Sequence, residues 1–196
     1  MKRKTKKKTA VKKAASKKTT VALKLNQEIW PCERDVLFRP DRYKYVRKLI
    51  KPEGCVFCRA AKNGVDFSTL CVHKTKHSMV VLNKFPYNSG HVLVLPQKHC
   101  GQILDLSKEE FYDLQDLIRL TMKAVSEVYS PAGFNMGLNQ GAVGGAGIPD
   151  HVHYHLIPRW VGDLNFFPLV AETKVVIESL EVSFERLLGY FKKNES

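Results

Sequence analysis

His151-Val152-His153-Tyr154-His155-Leu156-Ile157-Pro158 is the stretch on which the reading of this sequence turns. Side chains along a strand point to opposite faces in turn, so a strand over His151–Arg159 sets His151, His153 and His155 on one face. Val152, Tyr154 and Leu156 then pack the other face. Three imidazoles about 7 Å apart are costly to arrange for packing alone, which makes the row a candidate for chemistry. Isolated histidines such as His73 and His77 read instead as ordinary core or surface residues. Two chemistries suit the row. All three imidazoles could chelate a metal, as in zinc hydrolases with a histidine-only site. Alternatively, one imidazole attacks an electrophile while its neighbours orient it and protonate the leaving group. Spacing leaves both open. The segment just upstream, Gln140–Asp150, carries Gly141, Gly144, Gly145 and Gly147. Backbone in such a loop can come close to a ligand and hold phosphate oxygens with its N–H groups, which favours phosphate chemistry.

Outward from the histidine row, the pattern predicts an α+β fold. Ser78–Asn83 and His91–Leu95 are apolar and β-branched, and the turn-rich segment Lys84–Gly90 joins them as a hairpin. Thr69–His73 adds an edge strand, and Phe134–Asn139 and His151–Arg159 bring the sheet to about five strands. Ser107-Lys108-Glu109-Glu110 has the form of a capping box. Phe111, Leu114, Leu117, Ile118, Met122, Val125 and Val128 follow at helical spacing, giving a helix of about 20 residues across one face. A C-terminal helix is expected over about Ser179–Phe191. Residues 21–54, broken by Trp30-Pro31, Arg39-Pro40 and Lys51-Pro52-Glu53-Gly54, read as short helical pieces and loops.

The net charge of +13 suggests a nucleic-acid partner until it is divided along the chain. Ten of the 32 Lys/Arg lie in residues 1–20 with no acid among them, leaving 22 basic against 19 acidic residues, or +3. The first 20 residues therefore read as a solvated, disordered basic tail, and 21–196 as one domain with its core at 54–168. Such a tail attracts polyanions weakly and without sequence preference. No apolar segment approaches the roughly 20 residues needed to span a bilayer, and the basic start leads into no signal-peptide core. The expectation is a cytoplasmic protein with no membrane partner. Five cysteines without a secretion signal argue for thiols or a metal site over a disulfide framework.

His151–Ile157 matches His-φ-His-φ-His-φ-φ, with φ apolar and Tyr154 as the middle spacer, and on this the chain resembles the histidine-triad (HIT) family. The likeness runs from about Gly54 to Pro168. It takes in Asn83 eight residues before His91 in a Gly-His-Val-Leu-Val strand, Lys98-His99 leading to Leu104-Asp105-Leu106, and Asn139-Gln140-Gly141. The extension Pro158–Pro168 is similar to the branch of diadenosine-polyphosphate hydrolases and phosphorylases rather than the phosphoramidase branch. The resemblance implies a HIT-like antiparallel sheet, a small nucleotide as substrate and commonly a homodimer. It implies His153 as nucleophile on the α-phosphate, giving a nucleotidyl-histidine intermediate. His155 then hydrogen-bonds the phosphate and helps protonate the leaving group, with His91 in support. Asn83 stands at the family's ribose contact, and Asn139, with Gln140 and Gly141, near the scissile phosphate. Where Gln-Ser often precedes the triad, this chain has Gly147-Ile148-Pro149-Asp150, so a phosphate-contacting hydroxyl is missing.

Cys55-Val56-Phe57-Cys58 has the gap of a zinc knuckle, although a redox pair or two buried thiols fit equally. Some triad proteins, and the related galactose-1-phosphate uridylyltransferases, use such a pair with two histidines. The resemblance places these at His99 and His151, giving a structural zinc site and no organic cofactor. Three other functions use the same residues: removal of a nucleotide from DNA or RNA ends, a non-catalytic nucleotide sensor, and a metal-dependent hydrolase chelating through the triad. In the leading reading the second-step acceptor is either water or inorganic phosphate.

Overall fold

The structure is a computed structural model and describes residues 54–163 and 177–194. The tail, the short pieces expected over 21–53 and the end of the extension at 164–168 lie outside the described residues. In chain order the elements are α1 (Val56–Asn63), β1 (Cys71–Lys74), β2 (Ser78–Leu82), β3 (Val92–Pro96), α2 (Lys108–Tyr129), β4 (Gly133–Leu138), β5 (Tyr154–Arg159) and α3 (Leu180–Lys193). Short 3-10 turns precede β1 at Phe67–Thr69 and α2 at Ile103–Asp105. The five strands form one antiparallel sheet in the order β1-β2-β3-β5-β4.

Every residue of β2 and β3 is buried, because both faces of the sheet centre are covered. On one face Val80, Leu82, Val92, Val94 and Leu156 meet Leu114, Leu117 and Ile118 of α2 and Phe184, Leu187 and Phe191 of α3. Each fully buried Leu or Phe in that layer contributes about 1.5–3 kcal/mol. On the opposite face Met79, Val81, Leu93 and Leu95 pack against Phe57 and Ala60 of α1. α2 begins where the capping box predicted: Ser107 Oγ accepts from the Glu110 amide, and the Glu110 carboxylate accepts from the Ser107 amide.

Two expectations need correction. The Cys55–Cys58 spacing marks only a cysteine pair, yet Val56–Asn63 is a two-turn helix that plugs the second face with Phe57. β5 begins at Tyr154 instead of His151, because Val152 donates its amide to the Cys100 carbonyl (2.7 Å) and draws the chain away from β3. The grouping of the histidines survives this departure. The Phe57 ring lies 5.3 Å from that of His151 and 5.2 Å from that of His153, and the His153 and His155 rings are 5.2 Å apart.

Candidate active site

The histidines occupy the α1 side of the sheet. His155 pairs across the ladder with Leu93, which belongs to the α1-side cluster, while its neighbours Tyr154 and Leu156 pack on the α2 and α3 side. On its other flank His155 pairs with Gly137 of β4, where an added Cβ would meet nothing within 4 Å. The site therefore opens toward β4.

His153 Nδ1 lies 2.8 Å from the His151 carbonyl oxygen. A carbonyl only accepts, so the neutral ring carries its proton on Nδ1 and keeps a lone pair on Nε2. Burial holds the His153 imidazole below its ordinary range, against the opposing pull of that hydrogen bond. His155 is pushed down to about 4 by burial and then by the nearby His153. Both rings are thus neutral at physiological pH. His91, fully buried just before β3, places Nε2 3.0 Å from His155 Nδ1. Asn83 sits over His91, and its Oδ1 accepts from the Phe85 amide (2.9 Å).

The structure brings His91, His153, His155 and Asn83 into one cluster. It does not bring the loop residues to the triad by any hydrogen bond among the described residues. Asn139 is exposed just past β4, and Gln140 turns its Oε1 to accept from the Ile103 amide at 3.0 Å. Gly141 takes φ +74 in the turn that follows, closed by the Ala146 amide to the Gly141 carbonyl. Gly144 is needed by contact, since a Cβ there would run into the Gln140 carbonyl oxygen.

The four residues of the expected metal clip converge at the other end of the row. Sγ of Cys55 and Cys58 and a ring nitrogen of His99 and His151 all lie within 4.8 Å of one another. Cys58 Sγ is 3.2 Å from His99 Nδ1, and Cys55 Sγ is 3.4 Å from His151 Nδ1. These separations suit a tetrahedral ion with Zn–S near 2.3 Å and Zn–N near 2.0 Å. His151 Nε2 lies 2.9 Å from the Pro96 carbonyl, which leaves Nδ1 unprotonated and facing the sulfurs. Burial and then the adjacent Cys55 push the Cys58 thiol up, an effect that a cation between the sulfurs would reverse.

Sequence reasoning passed over several residues here. Phe57 holds two of the triad rings, and its place inside the cysteine pair was the available signal. Tyr87 and Asn88 fall in the turn-rich segment Lys84–Gly90, where the pattern predicts only a connection between strands. Yet the Tyr87 ring stands 4.9 Å from His91, and Asn88 donates to the Pro158 carbonyl at 2.7 Å and to Asp163 at 3.0 Å. Asp163 in turn pairs with the Arg159 guanidinium through two contacts, at 2.6 and 2.7 Å.

With the geometry in place, a model of the HIT domain matches residues 66–161. The chain is 31% identical over 106 residues to the adenosine 5'-monophosphoramidase hnt1 of Schizosaccharomyces pombe, covering 54% of this chain and 74% of that one. The chain belongs to the HIT family. It is also 36% identical over 115 residues to an AP-4-A phosphorylase of Mycobacterium tuberculosis. That match spans 59% of this chain and 59% of the phosphorylase, so it covers only part of either protein. Among solved structures, the crystal structure of Plasmodium falciparum diadenosine triphosphate hydrolase in complex with Cyclomarin A superposes with a TM-score of 0.53. Identity there is 25%, over 65% of this chain and 79% of that one. No described helix is long and apolar enough to cross a membrane.

Proposed function

We propose that this HIT protein cleaves a dinucleoside polyphosphate, such as diadenosine tetraphosphate, at the α-phosphate through a nucleotidyl-His153 intermediate. The observation that carries the reading is the His153 ring, with Nδ1 tied to the His151 carbonyl and the Nε2 lone pair left to attack, beside His155. In the first step Nε2 bonds to the α-phosphorus. The bond from that phosphorus to the bridging oxygen breaks, and the departing polyphosphate takes a proton with His155 as donor. In the second step water or inorganic phosphate bonds to the same phosphorus and gives its proton to His155 while the P–N bond breaks, restoring both His153 and His155. Asn83 would hold the ribose, and Asn139, Gln140 and Gly141 would close on the scissile phosphate when substrate binds. Similarity to the AP-4-A phosphorylase supports the substrate class.

A zinc ion held by Cys55, Cys58, His99 and His151 belongs to the same reading, and its contribution is structural: it pins α1 to the sheet beside the triad. The domain spans 21–196. Residues 1–20 form a basic tail with weak, salt-sensitive affinity for nucleic acid, in a cytoplasmic homodimer. β4, at one end of the described sheet with Asn135, Met136 and Gly137 exposed, offers an edge for a second copy.

His153→Ala tests the function. The loss belongs to the transition state, so turnover of diadenosine tetraphosphate should disappear while nucleotide affinity stays within about tenfold. Residual turnover within about a hundredfold of the parent would overturn the covalent mechanism.

A further inference from the structure

We propose that the backbone N–H of Tyr87 is a positioning group that sets His155 as a hydrogen-bond donor at Nε2, so that His153 and His155 meet the substrate in opposite tautomers. The inference deepens the reading above and rests on it for the roles of nucleophile and donor. A backbone amide can only donate, and the Tyr87 N–H points at His91 Nδ1 across 3.1 Å. His91 Nδ1 must therefore be bare, which excludes the doubly protonated ring and places the single proton on Nε2. That nitrogen faces His155 Nδ1 at 3.0 Å, and two facing nitrogens share one proton. The proton is already assigned to His91. His155 Nδ1 accepts, and the one proton of neutral His155 is left on Nε2.

The opposite assignment holds two residues earlier on the same segment, where a carbonyl replaces the amide. The His151 oxygen can only accept, so His153 keeps its proton on Nδ1 and presents a lone pair at Nε2. The Asn83 amide selects neither form of His91. At 3.4 and 3.3 Å from Nδ1 and Nε2 together, it lies in line with neither lone pair. The loop that aims the Tyr87 amide is clamped from both ends. The His91 amide returns to the Asn88 carbonyl at 3.1 Å, and buried Asn88 is bonded to Pro158 of β5 and to Asp163 just past it. A nucleophile needs a lone pair and a leaving group needs a proton. One main-chain acceptor and one main-chain donor supply these from two identical side chains.

The test reads the tautomers directly, by long-range 1H–15N spectra of the full chain labelled at histidine nitrogens, near neutral pH and without substrate. Expected are Nε2–H at His91 and His155 and Nδ1–H at His153; Nδ1–H at His155 would overturn the proposal. Two variants extend it. In His91→Gln the side chain can still accept from Tyr87 and donate to His155, whereas in His91→Glu it can only accept. The glutamine variant should keep the His155 Nε2–H signature and hold kcat within about tenfold of the parent. The glutamate variant should move that proton to Nδ1 and lower kcat more than about a hundredfold with KM little changed. Equal kcat losses in the two variants with the His155 tautomer unmoved would overturn the proposal, and the parent spectra decide it if neither variant folds. Failure of this inference is separable from failure of the function. Opposite tautomers in a chain that never acquires a nucleotide on His153 would sink the functional reading, and a nucleotidylated chain with matching tautomers would sink this one alone.

Discussion

Two neighbours on β5 show how differently the faces of one sheet are spent. Leu156 looks toward α2 and α3, into a layer dominated by aliphatic and aromatic side chains. His155 looks the other way, into a face that α1 covers only in part and that ends in imidazoles, thiols and glycine. The lesson is a division of labour at single-residue spacing: alternation along a strand lets one residue hold the fold while the next is held for chemistry. Mutations on the two faces should therefore separate stability from turnover.

The largest effect on stability is expected on the α2 face. Leu117→Ala leaves a cavity against the sheet and should cost about 2–5 kcal/mol in denaturant unfolding, with kcat per folded molecule unchanged. A comparable loss of kcat in that variant would erase the distinction between the faces. Next comes the metal clip, where Cys58→Ser should release zinc from a parent that carries about one ion per chain by elemental analysis. A metal at a hundred times its Kd adds about 2.7 kcal/mol, so the variant should melt earlier by a comparable margin. A parent that purifies free of metal, with a melting temperature the substitution does not move, would leave the two cysteines as packing residues.

A smaller effect should appear with pH. The folded value of His155 near 4 lies below its ordinary 6.5, so the unfolded chain binds more protons between the two. Its contribution to stability is complete above about 6.5 and is lost as pH falls toward 4. His155→Asn should flatten that acid limb, whereas Leu117→Ala should lower stability by a similar amount at every pH. An acid limb of unchanged slope in His155→Asn would show that other groups carry it. The smallest effect is expected from deleting residues 1–20, which should leave kcat/KM on a free diadenosine polyphosphate nearly unchanged. The same deletion should weaken salt-sensitive binding to nucleic acid. Crippled turnover of the small dinucleotide would place the tail in the active site.

Most of this architecture was legible in the sequence, for physical reasons that differ by element. The α2 start was readable because Ser107 and Glu110 satisfy each other's backbone amides, a local rule with little outside influence. The hairpin of β2 and β3 was readable because residues buried on both faces leave an unbroken apolar run. α1 was not readable as a helix, because eight residues that follow an N-cap Cys55 with no side-chain cap hydrogen bond gain their helicity from packing Phe57 on the sheet rather than from propensity. Among site residues, Cys55, Cys58, His99 and His151 lie within 4.8 Å of one another and His91 sits 3.0 Å from His155, groupings that span up to 96 positions of sequence. Tyr87 lay beyond reach, because what it contributes is a main-chain amide whose direction no side-chain pattern encodes.

The central claim is that His153 carries a nucleotide during turnover, and a rapid alkaline denaturing quench after mixing with α-phosphate-labelled diadenosine tetraphosphate tests it most directly. The account predicts label on the protein that survives base, is released by acid, maps to the peptide containing His153 and is absent in His153→Ala. Full turnover with no label on the chain at any quench time, or label unchanged in His153→Ala, would contradict it.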